Sequence, residues 1–251
     1  MPLMDEFKEE REEMKSRCFK DRWNYFWDYY KWHVVAGIII VCVAITIIHG
    51  VLTRKETAFY VAMMNSGAYV NADEYVAGFE EAAGIDRKKS YAHFDAELQI
   101  DYSNMNQASI STAQKMLVYI ASGDVDVMLA DTDCMNRYAY NMAMMDLREF
   151  LTAEETAIYE PYFYYIDYAL AEEAANSLSD PEFPTDPSDP SGMKEPIPVG
   201  ILLPDCPDLD NYYLTPKPLY FGVCPKAKHP DLAHVFLEYI TRNSSLRKQT
   251  P

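Results

Sequence analysis

The chain has 251 residues, is 49% hydrophobic and carries a formal net charge of −17. This length and apolar content predict a folded core rather than a disordered chain. The acidity argues against nucleic acid as a partner, because a phosphate-binding protein needs a basic face. Residues 56–251 hold 13 basic and 31 acidic side chains, which favours neutral, cationic or metal-bearing partners for that part of the chain.

An uninterrupted apolar run occupies residues 34–53 and contains no Asp, Glu, Lys or Arg. About 20 residues, each rising 1.5 Å along a helix, cross a hydrocarbon core of roughly 30 Å. The run is long for the core of a signal peptide and no A-x-A site follows it, so we interpret it as an uncleaved signal anchor. Trp23, Trp27 and Trp32 precede it, which is typical of an aromatic belt at the headgroup level. The sequence therefore predicts a single-pass protein with the lipid bilayer as a partner.

The distribution of Lys and Arg predicts the orientation of this helix. Seven of them lie in residues 1–33, whereas only Arg54 and Lys55 follow the span directly. By the positive-inside rule, we expect residues 1–33 to be cytoplasmic and residues 56–240 to form an extracellular domain at the cell membrane. Residues 5–32 either form an amphipathic helix on the membrane or extend the spanning helix inward.

The extracellular part alternates strand and helix patterns. Strands are predicted at residues 58–65, 90–98, 126–130, 197–204 and 219–225, and helices at residues 71–84, 106–122 and 230–240. Asn71 and Glu74 form a capping-box pattern, and Gly84 is placed to end that helix. Residues 135–155 have helical spacing with a break near Asp146, and residues 154–175 are predicted helical in part, with an interruption at Pro161.

This alternation predicts an α/β domain with a mixed, largely parallel sheet and right-handed crossovers. Residues 177–198 hold six prolines and three Asp-Pro steps, so an exposed, acidic, Pro-rich loop is predicted there. Residues 241–251 are predicted to be a polar tail.

Polar side chains follow two of the predicted strands, where ligands collect in parallel sheets. The candidate ligand-binding residues are Asn65, Ser66, Asp131, Thr132, Asp133, Asn136, Arg137, Tyr212 and Tyr213. Two alternatives stay open for residues 131–137. They contact a ligand, or else Asp133 or Thr132 only caps a helix that begins near Met135 and Arg137 pairs with Asp133. The two tyrosines either stack on a ligand or pack on the sheet edge.

No catalytic residue is predicted, because the chain has no G-x-S-x-G and no H-E-x-x-H motif. No cofactor is predicted, since no Gly-rich phosphate loop is present. The Asp131-x-Asp133 pair with Asn136 lacks the Gly and the distal Glu of an EF-hand loop, so no metal site is predicted either. Cys206 and Cys224 either pair as a disulfide, if their strands are neighbours, or remain free buried thiols.

Three segments resemble the extracellular solute-binding proteins of the type 2 periplasmic-binding fold. They are Ser122-Gly123-Asp124-Val125-Asp126 before a strand, Asp146 to Leu151, and the strand Leu219 to Val223 followed by a helix that begins at Pro230. The chain is short for a two-lobed member of that family. Members of that family are usually lipid-anchored or free, whereas this chain has a predicted signal anchor. The resemblance implies a fold of reduced size, with a single lobe or a shrunken second lobe, and the anchor makes it membrane-tethered.

Two functional hypotheses follow. In the first, the chain is a membrane-anchored extracellular binding module that captures a small solute or a peptide for transport or sensing. In the second, it is a non-catalytic structural or assembly protein of the cell envelope with a vestigial binding fold and a membrane-protein partner. The first predicts an open pocket at the strand ends that contains Asp131, Asp133 and Arg137. The second predicts a filled crevice and an exposed aromatic patch.

Overall fold

The chain divides into two compact units, Met1–Arg54 and Lys55–Pro251. The computed structural model describes residues 19–67, 73–176, 183–184, 186–213 and 218–248. The predicted N-cap Asn71 and residues 1–18 lie outside the described residues.

The described residues of the first unit contain one helix, α1, which spans Phe19–Leu52. Within it, the 22 residues Tyr30–Val51 have a mean hydropathy of 2.7 and none of them is buried by other protein. By length and composition this helix can cross a membrane. The predicted helix at residues 34–53 is confirmed, and residues 19–32 continue the same helix rather than forming a separate one.

We call the second unit the sheet domain, and its described part has six strands. They are β1 (Glu56–Met63), β2 (Ser90–Asp95), β3 (Val127–Asp131), β4 (Phe163–Asp167), β5 (Pro196–Leu202) and β6 (Leu219–Val223). The helices are α2 (Asp73–Ala82), α3 (Gln107–Ser122), α4 (Thr132–Tyr140), α5 (Leu147–Phe150), α6 (Ala153–Tyr159), α7 (Tyr168–Asn176), α8 (Pro230–Thr241) and α9 (Ser245–Lys248). Short 3₁₀ turns lie at Glu160–Tyr162, Pro190–Gly192 and Pro207–Leu209.

The strands form one sheet in the order β2-β1-β3-β6-β5-β4. β1 is parallel to β2 and to β3, whereas β6 is antiparallel to β3 and β5, and β5 is antiparallel to β4. The prediction of a largely parallel sheet is therefore wrong: the α/β class holds, but most strand pairings are antiparallel. The physical reason lies in the connections between strands. α2 and α3 are crossover connections, which return the chain to the opposite end of the sheet and so make the next strand parallel. The connections from β4 to β5 and from β5 to β6 begin and end at the same end of the sheet, so those strands are antiparallel.

The sequence pattern did not reveal β4. Its residues FYYID lie in a segment that we predicted to be helical in part, yet they pair with β5. Aromatic and β-branched side chains favour a pleated, half-buried surface, and four of these five are of that kind. The interruption at Pro161 is confirmed, because Pro161 lies in the 3₁₀ turn that precedes β4.

Both faces of the sheet are covered, so alternate residues of β1 enter two separate cores. Phe59, Val61 and Met63 pack in a core with Phe79 of α2 and Phe236 of α8. Tyr60, Ala62 and Met64 pack in the opposite core, which also holds Met116 of α3 and Met135 of α4. Burial on two sides explains why the central strands are apolar throughout rather than alternating.

The two cores also decide the state of the cysteines. Cys206 packs in the core that contains Phe236, whereas Cys224 packs in the opposite core. Both are free thiols. The disulfide alternative is therefore wrong, because the sheet separates the two sulfur atoms.

The C-terminal segment is more ordered than a polar tail implies. α9 lies within it, and the side chain of Leu246 is buried. In the acidic loop, the described residues 186–195 are mostly exposed, as predicted. Asp189 accepts a hydrogen bond from the Ser191 amide and so caps the Pro190–Gly192 turn.

Gly123 and Gly84 provide a matched test of local packing. Both adopt a left-handed backbone, with φ of 72° and 67°. A Cβ on Gly123 would lie 2.6 Å from the Lys226 carbonyl oxygen, whereas a Cβ on Gly84 would meet nothing within 4 Å. We expect Gly84→Ala to lower the free energy of unfolding by about 1 kcal/mol through backbone strain alone, and Gly123→Ala by about 2–4 kcal/mol. Thermal unfolding of the two variants checks this, and equal losses would contradict the clash.

Candidate functional site

Asn65 joins three chain segments at the carboxyl end of the parallel strands. It follows β1 with a left-handed φ of 55°, a conformation that asparagine tolerates better than most residues. Its Nδ2 donates to Asp131 Oδ2 at 2.9 Å, and its Oδ1 accepts from the Ile100 amide at 2.7 Å. Its own amide donates to the Leu98 carbonyl oxygen. The side chain thus holds the segment after β2 against the end of β3.

Asp131 is the N-cap of α4. Its backbone is extended, and its Oδ1 accepts from the Cys134 amide at 3.0 Å. The prediction that Asp133 or Thr132 caps a helix starting near Met135 is therefore wrong: the helix begins at Thr132 because β3 runs up to Asp131 and the chain turns there. The carboxylate of Asp131 both caps this helix and accepts from Asn65.

An open pocket of about 530 Å³ lies beside this junction. Four segments form its wall: Asn65 after β1, the loop after β2, the first turn of α3 with its N-cap, and the junction between β3 and α4. The lining residues are Asn65, Gln99, Ile100, Asp101, Tyr102, Ser103, Asn106, Ala108, Ser109, Asp131 and Asp133. We call it the strand-end pocket.

Local hydrogen bonds fix the wall that α3 contributes. Asn106 caps α3 by accepting from the Ser109 amide at 2.9 Å. The Ser109 hydroxyl oxygen accepts from the Asp101 amide, and Asp101 Oδ1 accepts from the amides of Ser103 and Asn104. These bonds join the loop after β2 to the helix end, so the pocket is largely preformed.

The lining of the strand-end pocket is rich in hydrogen-bond acceptors. Three carboxylates line it, from Asp101, Asp131 and Asp133, and none of its lining residues is Lys, Arg or His. Burial raises the pKa of Tyr102 to about 12, so its phenol stays neutral at pH 7. The Arg137 guanidinium lies 4.5 Å from the centre of the Tyr102 ring. Neutral polar or cationic ligands suit such a lining better than anions do.

The structure brings only part of the predicted set together. Asn65, Asp131 and Asp133 line the pocket, and Thr132 and Arg137 belong to the helix that begins at its wall. The Ser66 hydroxyl donates to the Ala96 carbonyl oxygen. Asn136 is buried and accepts from the Tyr164 hydroxyl.

The two predicted tyrosines pack against protein. Tyr212 is 2% exposed, and its ring centre lies 5.8 Å from that of Tyr75. The Tyr213 hydroxyl donates to the Leu129 carbonyl oxygen at 3.3 Å. Neither is among the lining residues of the strand-end pocket, so packing is the alternative that their positions favour.

Sequence reasoning missed the wall formed by residues 99–109. The polar stretch that begins at Gln99 follows β2, which ends at the same edge as β1 and β3. The rule that selected Asn65 and Asp131 applies equally to this stretch. Asn106 gave a second signal, because it is the first residue of the helix predicted at residues 106–122 and asparagine is a preferred N-cap residue.

The Gly-Asp-x-Asp motif lies at the opposite end of the strands from the pocket, where β3 begins. Asp124 is half-exposed and pairs with Lys228 at 2.6 Å. Asp126 is 3% exposed and accepts from the amides of Tyr60, Lys228 and His229 at 2.9–3.0 Å. The motif therefore holds the start of β3 to β1 and to the entry of α8, and it does not contribute to the pocket.

Among the described residues, no group of three or more His, Cys, Asp and Glu side chains is placed to hold a metal ion. No family model, curated protein or solved structure matches this chain.

Proposed function

We propose that this chain is a membrane-anchored binding module that captures a small polar solute in the strand-end pocket. The observation that carries the proposal is the open cavity of about 530 Å³ at the ends of β1 and β3. Small-molecule sites typically have volumes of about 300–1,000 Å³ and a few convergent polar groups. The alternative hypothesis, an assembly protein with a vestigial binding fold, predicts a filled crevice. The open pocket therefore supports the binding hypothesis over the assembly hypothesis.

The charge of the lining narrows the ligand class. Asp101 and Asp133 have exposed side chains in the wall, where they can accept hydrogen bonds from ammonium, hydroxyl or amide groups. An anionic solute would meet three carboxylates and no basic side chain in the lining. We therefore infer that the solute is neutral or cationic and rich in hydrogen-bond donors.

The location belongs to the same proposal. The apolar helix α1 supports a membrane anchor, and the excess of Lys and Arg in residues 1–33 supports an extracellular sheet domain. Protease treatment of intact cells tests the side. Loss of residues 56–251 with retention of α1 is expected, and protection of those residues would overturn the orientation. The resemblance to the type 2 periplasmic-binding fold remains a proposal that rests on its sequence motifs.

Ala108→Trp tests the pocket directly. Ala108 is exposed in the first turn of α3 and lines the cavity, so an indole at this position fills the space without removing a hydrogen-bonding side chain. We expect at least one compound from a panel of amino acids, amines, sugars and short peptides to raise the melting temperature of the full chain in detergent. At 100 times its dissociation constant, a ligand stabilises by about 2.7 kcal/mol. Ala108→Trp is expected to abolish this shift.

The control is Glu173→Trp, which places the same side chain at an exposed position of α7. It is expected to keep both the melting temperature and the ligand response. The proposal fails if no compound stabilises the wild-type chain, or if the Ala108→Trp chain responds as strongly as the control.

A further inference from the structure

Exposed apolar side chains of the sheet domain are concentrated on one surface. Of its described residues, six large hydrophobic side chains are exposed: Tyr91, Met105, Ile110, Leu117, Val118 and Met142. Three of them project from α3, and Met105 directly precedes Asn106, the N-cap of this helix. Leu117 and Val118 are 57% and 64% exposed, so they contribute little to the core of this chain.

The outer side of α3 carries no charge. Ile110, Gln114, Leu117, Val118 and Ala121 are all exposed and recur at the spacing of one helix face. We call this set the α3 face. Lys115 is the sole charged residue of α3, and its ammonium pairs with Asp95 Oδ2 of β2 at 2.7 Å. Interface cores show this combination, in which apolar residues are enriched and charged residues are depleted.

We propose that the α3 face is a contact between two copies of this chain. Residues 56–251 carry 31 acidic and 13 basic side chains, so two copies repel each other over most of their surfaces. An uncharged face is where that repulsion is least, and a two-fold contact requires a patch that is complementary to itself. An apolar helix face centred on Gln114 meets that requirement.

The size of the face sets the conditions under which it forms a dimer. A helix of 16 residues is about 24 Å long, and with a contact width of about 10 Å it offers ~240 Å² per copy. Stable complexes bury about 800 Å² per partner, so the α3 face gives no stable dimer in dilute solution. Anchoring both copies in one bilayer raises their effective concentration and favours a weak contact. The inference therefore rests on the membrane anchor of the proposed function, but not on ligand binding.

Cysteine cross-linking in the membrane tests the contact. The full chain, with Cys18 and Cys42 replaced by serine, is reconstituted in liposomes and oxidised after introduction of Gln114→Cys or Glu173→Cys. The three other cysteines are buried. Because Gln114 lies at the middle of the face, two copies paired about a two-fold axis bring its substitute next to itself. We expect a disulfide dimer in about tenfold higher yield for Gln114→Cys than for Glu173→Cys.

Leu117→Asp in the Gln114→Cys chain is expected to reduce the dimer yield about tenfold, because it removes a buried leucine from the contact and opposes two carboxylates there. Met142→Asp is the matched control, since it adds the same charge at an exposed apolar residue that lies outside α3. Equal yields at positions 114 and 173, or an unchanged yield with Leu117→Asp, would overturn the proposal and would indicate pairing through α1 or none. The ligand-induced melting shift is measured separately, so failure of the dimer does not affect the proposed binding function.

Discussion

Asp126→Ala is expected to lower the free energy of unfolding of the sheet domain by about 3–5 kcal/mol. The carboxylate is 3% exposed and accepts from three backbone amides, of Tyr60, Lys228 and His229. Its removal leaves the buried Tyr60 amide and the part-buried amides of Lys228 and His229 without that acceptor. An unsatisfied buried donor costs about 1–3 kcal/mol, and a part-buried one costs less because water reaches it. The amides belong to β1 and to the entry of α8, so the loss weakens the attachment of both elements to the start of β3.

Asp124→Ala is the control within the same motif. Its carboxylate is half-exposed and pairs with the Lys228 ammonium, and an exposed ion pair contributes about 0–1 kcal/mol. Chemical denaturation of the full chain in detergent, followed by the near-ultraviolet circular dichroism of tyrosine, measures both variants. Tyrosine is the appropriate probe because all three tryptophans lie in α1. Similar losses for the two aspartates would contradict the structural role of Asp126.

Asn65→Ala is expected to cost about 3–4 kcal/mol and to weaken ligand binding in the strand-end pocket. It removes the hydrogen bonds to the Asp131 carboxylate and from the Ile100 amide, and a hydrogen bond to a charged group contributes about 1.5–3 kcal/mol. It also places alanine at a φ of 55°, which adds about 1 kcal/mol of strain. Without this link, the wall formed by residues 99–103 is no longer held to the end of β3.

Asn65→Gly separates the two contributions, because glycine adopts positive φ without strain but makes no side-chain hydrogen bond. We expect Asn65→Gly to be more stable than Asn65→Ala by about 1 kcal/mol, and equally impaired in ligand-induced stabilisation. If both variants kept the full melting shift of the wild-type chain, Asn65 would not be needed to form the pocket.

Much of the local structure could be predicted from hydrophobic period and capping chemistry. The strands at residues 58–65 and 219–225 and the helix at residues 106–122 follow directly from these patterns. The break near Asp146 is also confirmed, because Asp146 caps α5. β4 could not be predicted in this way. Its five residues lie between two helical patterns, and its pairing with β5 depends on residues 29–38 positions further along the chain.

The candidate site was predictable only where a polar residue follows a strand of the parallel set. Asn65 and Asp131 meet because β1 and β3 are parallel neighbours, and this neighbourhood follows from the strand–helix order. Tyr212 and Tyr213 gave no such signal. Their burial depends on Tyr75 and Leu129, which are distant in sequence.

The sequence by itself determined the apolar helix that can cross a membrane, the α/β class of the sheet domain and its acidity, because these depend on composition and on local periodicity. The tertiary structure decided the direction of β4, β5 and β6, the pocket wall at residues 99–109 and the separation of Cys206 from Cys224. It also decided that Asp126 supports the fold at the end of the strands opposite the pocket. These features depend on which distant segments pair and on which face of the sheet each side chain lies, and a local pattern contains neither piece of information.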